Sequence, residues 1–187
     1  QQNIELRIVA SHLHYMDLFG KTYRNFMKEF KIERRVHLKI LKDNSSSMIK
    51  KLSDELNFFS KILHLRKPDI VLVLGDRFEM LAPVIASIPN NVPVVHIFGG
   101  AVTIGAIDEL IRHSITKMSH LHLTAHKSYS DRIKKMGEEE WRVKTIGMPD
   151  LKTLKNQKKL SIKNLSKMVN LNFRHKTLLV TLHPTSR

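Results

Sequence analysis

Residues 70–122 read IVLVLGDRFEMLAPVIASIPNNVPVVHIFGGAVTIGAIDELIRHSITKMSHLH. An apolar run, Ile70 to Leu74, ends in Gly75-Asp76-Arg77. A second, Val92 to Ile97, passes through Phe98 into Gly99-Gly100. A helical pattern follows, carrying Asp108, Glu109, Arg112 and His113. Two strands thus deliver charged or glycine-rich loops at their carboxyl ends, where open α/β sheets build ligand sites.

Outward from this block the same alternation continues. Short apolar runs predict strands at Glu5–Ala10, Arg35–Ile40, Ile70–Leu74, Val92–Ile97, His120–Thr124 and Arg142–Ile146. Amphipathic stretches predict helices near 20–30, 46–66, 77–87, 106–118 and 127–136. The clearest is 46–66: Ser45-Ser46-Ser47 can cap it, and Ile49, Leu52, Leu56, Phe59 and Leu63 recur at helical spacing before Pro68 stops it. Asp76 is placed to cap the helix beginning near Arg77. The expected fold is a Rossmann-like parallel α/β sheet with helices on both faces, spanning about 1–148. Strand Ile70–Leu74 is expected at its centre, because its run is apolar on both faces. After Gly147-Met148-Pro149 the character changes. A basic helical stretch, 149–171, leads to a strand at Thr177–Leu182, so 149–187 reads as a linker and the start of a second domain.

Composition narrows the functional classes. The chain has 187 residues and no cysteine, which excludes disulfides, thiolate metal sites and a cysteine nucleophile. The N-terminus lacks the basic and apolar regions of a secretory leader, no apolar run approaches the roughly 20 residues of a membrane span, and a cytoplasmic setting is expected. The net charge of +15 is uneven: residues 151–187 hold nine Lys and Arg and no acid. These lysines lie among Leu, Ile and Asn without aromatic residues to stack bases, which argues against nucleic acid as a partner. A modest positive field suits a phosphorylated ligand. Neither a GxGxxG fingerprint nor a Walker A loop is present.

The candidate chemistry is concentrated in the block. Asp76 and Arg77 are either a cap with a surface partner or a site. The loop 98–105 is either a tight strand-to-helix turn or a cradle whose amides receive a phosphate or sugar hydroxyl. Asp108 with Arg112 and Glu109 with His113 stand at i,i+4 spacing, which stabilises a helix with or without function. A carboxylate there could abstract a proton if burial tuned it. His120, His122 and His126 lack a carboxylate to complete a metal site, so no metal is assigned.

GDRFEML at 75–81, followed by HIFGGAVTIGAIDELIRHSITKMSHLHL at 96–123, resembles the hydrolysing UDP-N-acetylglucosamine 2-epimerases of sialic and legionaminic acid synthesis. HYMDLFGKT at 14–22 resembles the stretch after that family's second strand, and TLHPTSR at 181–187 the start of its second domain. The resemblance implies the first half of a GT-B-type two-domain enzyme, lacking its opening strand. It implies catalytic carboxylates at Asp76 and Asp108 and nucleotide contacts from Arg77 and His183; the loop and helix readings add Gly99, Gly100, Glu109, Arg112 and His113 as candidate substrate contacts. It implies a UDP-sugar substrate, no cofactor, and a homo-oligomer at full length. Residues 1–187 alone would turn over little, since most of the nucleotide pocket lies in the second domain. The family often has acids where this chain has Phe98 and Ala101. That departure leaves a second reading, a non-catalytic sugar-nucleotide binding or regulatory domain on the same scaffold. Asn at position 76 or 108 is expected to remove activity and keep the fold.

Overall fold

The computed structural model describes residues 4–15, 20–30, 32–36, 45–173 and 175–182. Strand β1 (Ile8–Ser11) leads through α1 (Tyr23–Glu29) to β2 (Ile32–Val36), and the two strands pair in parallel. Residues 37–40 of the expected second strand lie outside the described residues. Helix α2 (Ser45–Arg66) then enters a four-stranded parallel sheet. Its strands are β3 (Val71–Leu74), β4 (Val94–Ile97), β5 (Leu121–Thr124) and β6 (Val143–Thr145), in that spatial order. The crossovers are α3 (Leu81–Ser87, entered through a 3-10 turn at Phe78–Met80), α4 (Ile107–Met118) and α5 (Lys127–Lys135). Consecutive parallel strands joined by a helix each time are what the alternating pattern dictates. No helix among the described residues is long and apolar enough to cross a membrane.

One buried cluster joins sheet and helices: Val73 and Val94 from the strands, Val84 from α3, Ile111 and Ile115 from α4. Another joins Ile62 and Leu63 of α2 to Ala86 of α3, with Val9 and Val71 packed against it. The first strand pair and the larger sheet therefore share α2 as a cover. On α2 itself the periodic reading is only partly right. Leu63 is buried, but Ile49 is 63% exposed, and Glu55 occupies a fully buried position on the inner face.

The central position expected for Ile70–Leu74 is a correction. Among the described residues β3 pairs only with β4, so it is an edge of its sheet, and Leu72 and Leu74 are more than half exposed. The strand buried on both faces is β4, whose consecutive Val94, Val95 and His96 point alternately up and down and are all buried. An apolar run shows that a strand can be buried on two sides. It does not say which neighbours arrive to bury it.

The C-terminal stretch forms two helices rather than one: α6 (Pro149–Asn156) and α7 (Ile162–Val169). Ser161 caps the second by accepting from the Asn164 amide at 3.2 Å, and Asn170 ends it in the left-handed region. The strand expected at Thr177–Leu182 is not formed, and Leu178, Leu179 and Leu182 are more than 90% exposed. A strand needs a partner edge for its backbone groups, and none among the described residues meets this segment.

Candidate active site

The carboxyl ends of β3 and β4 and the start of α4 converge. After Leu74 the chain turns at Gly75 (φ 75°), whose amide donates to Ile97 O at 2.9 Å. Asp76 follows. It does not cap the next turn as expected, because Arg77 occupies that cap position and makes no side-chain cap bond. The Asp76 carboxylate instead receives Arg112 from α4: both Nε (2.8 Å) and Nη2 donate to Oδ2. Arg112 thus reaches across to Asp76 rather than back to Asp108. Its remaining donors hold the glycine loop, Nη1 to Ala101 O at 3.0 Å and Nη2 to Thr103 Oγ1 at 3.1 Å. Arg112 is only 4% exposed. A buried guanidinium with four of its five N–H donors occupied fixes the geometry of three segments at once. Among the described residues Asp76 Oδ2 is held and Oδ1 meets no donor, and the side chain is 29% exposed.

Glu109 serves the same loop. Its Oε2 accepts from the Thr103 amide at 2.6 Å, and its Oε1 stands 3.7 Å from His113 Nε2. Asp108 lies one turn before Arg112 on the same helix, half-buried. Gly99 and Gly100 have packing reasons to be glycine. A Cβ on Gly99 would sit 2.8 Å from His96 Nδ1, and one on Gly100 only 2.5 Å from Tyr129 O. Gly100 is also left-handed (φ 82°), and its carbonyl accepts from Arg132. Phe98, just before them, adopts φ 66° without being glycine. That conformation costs on the order of 1–3 kcal/mol and collects at functional sites.

Arg77 projects outward, its side chain 61% exposed, with Nη2 3.1 Å from Glu79 Oε1. The neighbouring His14 ring bonds Thr22 Oγ1 at 2.8 Å. Burial, then the Arg77 charge, pushes its pKa below the usual histidine value, with Glu79 acting against them. Glu79 and Thr103 had no signal in the sequence beyond lying within the block. His183 lies outside the described residues.

His120, His122 and His126 do not gather. His120 Nδ1 accepts from the Val94 amide, and His126 Nδ1 caps α5 through the Ser128 amide. His122 is fully buried with Nε2 3.2 Å from Glu138 Oε2. Burial alone would raise Glu138, but hydrogen bonds from Lys117 and His122 hold its pKa below the ordinary carboxylate value. Among the described residues no group of three or more acids and histidines is placed to hold a metal.

His96 is fully buried, and burial pushes its pKa from 6.5 down to about 4. An imidazole depressed on folding binds its proton more readily in the unfolded chain. Stability is therefore full above pH 6.5 and is lost as the pH falls towards 4. The expected cost at pH 5 is about 2 kcal/mol from this residue. Thermal unfolding between pH 7 and 4.5 checks it: His96→Gln should flatten the decline, leaving the part due to His122 and His14, whose pKa values are also lowered. An unchanged slope in His96→Gln would assign the decline elsewhere.

Known proteins now bear on this geometry. The family model described as UDP-N-acetylglucosamine 2-epimerase matches residues 1–187. A hydrolysing GDP/UDP-N,N'-diacetylbacillosamine 2-epimerase from Campylobacter jejuni is 39% identical over 183 residues, covering 98% of this chain and 48% of that protein. A hydrolysing UDP-N,N'-diacetylbacillosamine 2-epimerase from Legionella pneumophila is 38% identical over 151 residues, 80% of this chain and 40% of that protein. The chain thus spans about half the length of these relatives or less. In fold it is similar to the crystal structure of the Neisseria meningitidis UDP-GlcNAc 2-epimerase bound to UDP-GlcNAc, with a TM-score of 0.66 at 18% identity over 88% of this chain and 44% of that one. The match along the whole chain, on a parallel α/β sheet, leads to one assignment: this chain belongs to the UDP-N-acetylglucosamine 2-epimerase family.

Proposed function

We propose that the protein carrying this chain is a hydrolysing 2-epimerase of a UDP-linked N-acetylated sugar. The observation that carries the reading is the Asp76 carboxylate, held through one oxygen by buried Arg112 and meeting no donor at the other among the described residues, beside the outward-facing Arg77. The sugar in the names of the Campylobacter and Legionella relatives is N,N'-diacetylbacillosamine, and we take a UDP-linked 2,4-diacetamido-2,4,6-trideoxyhexose as the preferred substrate class over UDP-N-acetylglucosamine. A base removes the proton at C2, the C1–O bond to UDP breaks, and a glycal forms. Water then adds across the double bond with inversion at C2, releasing the free 2-epimeric sugar and UDP. Asp76 and Asp108 are the candidate proton-transfer groups. Arg77 stabilises charge developing on the diphosphate in this reading, an electrostatic role for an outward-facing cation beside Asp76. Gly99, Gly100, Glu109 and His113 shape the sugar pocket in this reading, and His183 contacts the nucleotide. Residues 149–187 lead into the second, nucleotide-binding domain, which agrees with the exposed apolar side chains of α6, α7 and residues 178–182.

Coupled UDP release by the complete protein on both sugar nucleotides tests this. Release of UDP with a stoichiometric free 2-epimer, faster on the diacetamido sugar, is the expected result. UDP-sugar binding with no release from either substrate would favour a binding or regulatory domain, the reading that Phe98 and Ala101 in place of acids would then explain.

A further inference from the structure

His96 and Thr116 lie beneath the site, both fully buried and neither exposed to a ligand. His96 Nε2 stands 2.8 Å from Gly75 O. A carbonyl only accepts, so Nε2 carries the proton, and the neutral ring offers Nδ1 as an acceptor. Nδ1 lies 3.2 Å from Thr116 Oγ1 on α4. The same hydroxyl is 2.9 Å from the Arg112 carbonyl one turn earlier, and with a single proton it donates to one of these two acceptors at a time. The Arg112 side chain then grips Asp76 Oδ2, and Asp76 is bonded through one peptide to Gly75. The contacts run from the Gly75 carbonyl through His96 to Thr116 on α4, the helix that carries Arg112. Gly99 presses on the imidazole, since a Cβ there would meet Nδ1 at 2.8 Å and Cε1 at 2.9 Å. The ring rotamer is therefore set from the second ligand loop as well.

We propose that His96 and Thr116 are positioning residues for the Asp76 carboxylate, acting on it from behind through the Gly75 carbonyl and through Arg112. The proposal rests on Asp76 reacting with the substrate as described above. His96 anchors the backbone immediately before Asp76, while Arg112 anchors its carboxylate. With His96 removed, the backbone before Asp76 keeps the bond from the Gly75 amide to Ile97 O but loses the one to its carbonyl, and the carboxylate can shift. Displacement of a reacting group by about 1 Å costs on the order of 10²-fold in rate. Thr116 fixes the ring in the tautomer and rotamer that this anchor needs.

The test uses His96→Leu, His96→Gln and Thr116→Val in the complete protein, with kcat and KM for UDP release measured per folded molecule. His96→Leu should lower kcat about 10²-fold while KM moves much less. His96→Gln should recover most of the loss, because its amide N–H can reach the Gly75 carbonyl. Thr116→Val, close in shape and lacking only the hydroxyl, should give a smaller loss of kcat, and it carries the test if leucine at 96 prevents folding. A histidine that only supports the fold would lower the melting temperature and leave kcat per folded molecule intact; that outcome overturns the proposal. Two readouts on residues 1–187 are independent of turnover. Nitrogen NMR should show His96 protonated at Nε2, and the Asp76 carboxyl carbon signal should shift in His96→Gln and Thr116→Val. An Nδ1–H tautomer, or an Asp76 signal indifferent to both variants, would overturn the proposal even if the wild-type protein released no UDP and the 2-epimerase reading itself failed.

Discussion

Replacing Arg112 with methionine destabilises the chain by about 3–5 kcal/mol, the cost of breaking a buried ion pair by removing one partner. Methionine keeps the length and apolar stem of the side chain, so little packing is lost. What disappears is every donor that Arg112 supplies: two to Asp76, one to the Ala101 carbonyl and one to the Thr103 hydroxyl. The Asp76 carboxylate keeps its charge with its partner gone, in a setting where its side chain is 29% exposed. The strand end, the glycine loop and α4 lose their common fastening. For a chain of this size the loss corresponds to a fall in Tm of roughly 10 °C, readable by circular dichroism on residues 1–187. Removing Arg7 from its exposed pair with Glu5 should move Tm little and serves as the control. A loss below about 1 kcal/mol for Arg112→Met would mean that water already screens the pair, and the fastening would lie elsewhere.

In the complete protein, Asp76→Asn should cut UDP release by about 10²–10⁴-fold, the usual contribution of a general acid–base group. Asparagine preserves shape and removes both charge and basicity. The structure revises the expectation that this substitution leaves the fold untouched. It strips a 4% exposed guanidinium of its counter-charge, so a drop in Tm must accompany the drop in rate. Rates are therefore compared at a temperature where both proteins are folded. Arg77→Ala separates the two effects. Its side chain is 61% exposed and pairs only with Glu79 among the described residues, so the fold should be nearly indifferent while UDP release slows. Asp108→Asn should lower the rate as well. A folded Asp76→Asn protein with near-normal UDP release would remove Asp76 from the chemistry and with it the reading of this site.

The alternation of apolar runs and amphipathic helices was readable residue by residue. Each strand of the larger sheet begins and ends within a few residues of its expected place. So were the loops that carry Asp76, Arg77, Gly99 and Gly100, because short runs ending in glycine and charge are local patterns. The order of strands is not local. Ile70–Leu74 and Val92–Ile97 are equally apolar, yet only β4 acquires neighbours on both sides. The same holds for Thr177–Leu182, whose strand pattern finds no edge to join among the described residues.

Charge pairing shows the division most clearly. Sequence spacing offers Arg112 the partner four residues back, Asp108, and offers Asp76 the amides of the turn that follows it. Only when β3 pairs with β4 and α4 packs onto both strands do Arg112 and Asp76, 36 positions apart, come within hydrogen-bonding distance. The burial of His96 likewise depends on Gly99 closing over its ring and Thr116 descending from α4. Residue types and their periods determine which elements form and which loops carry chemistry, since those preferences act over a few residues. Tertiary packing decides which charges are desolvated and whom they meet, since both depend on elements distant in the chain arriving at one place.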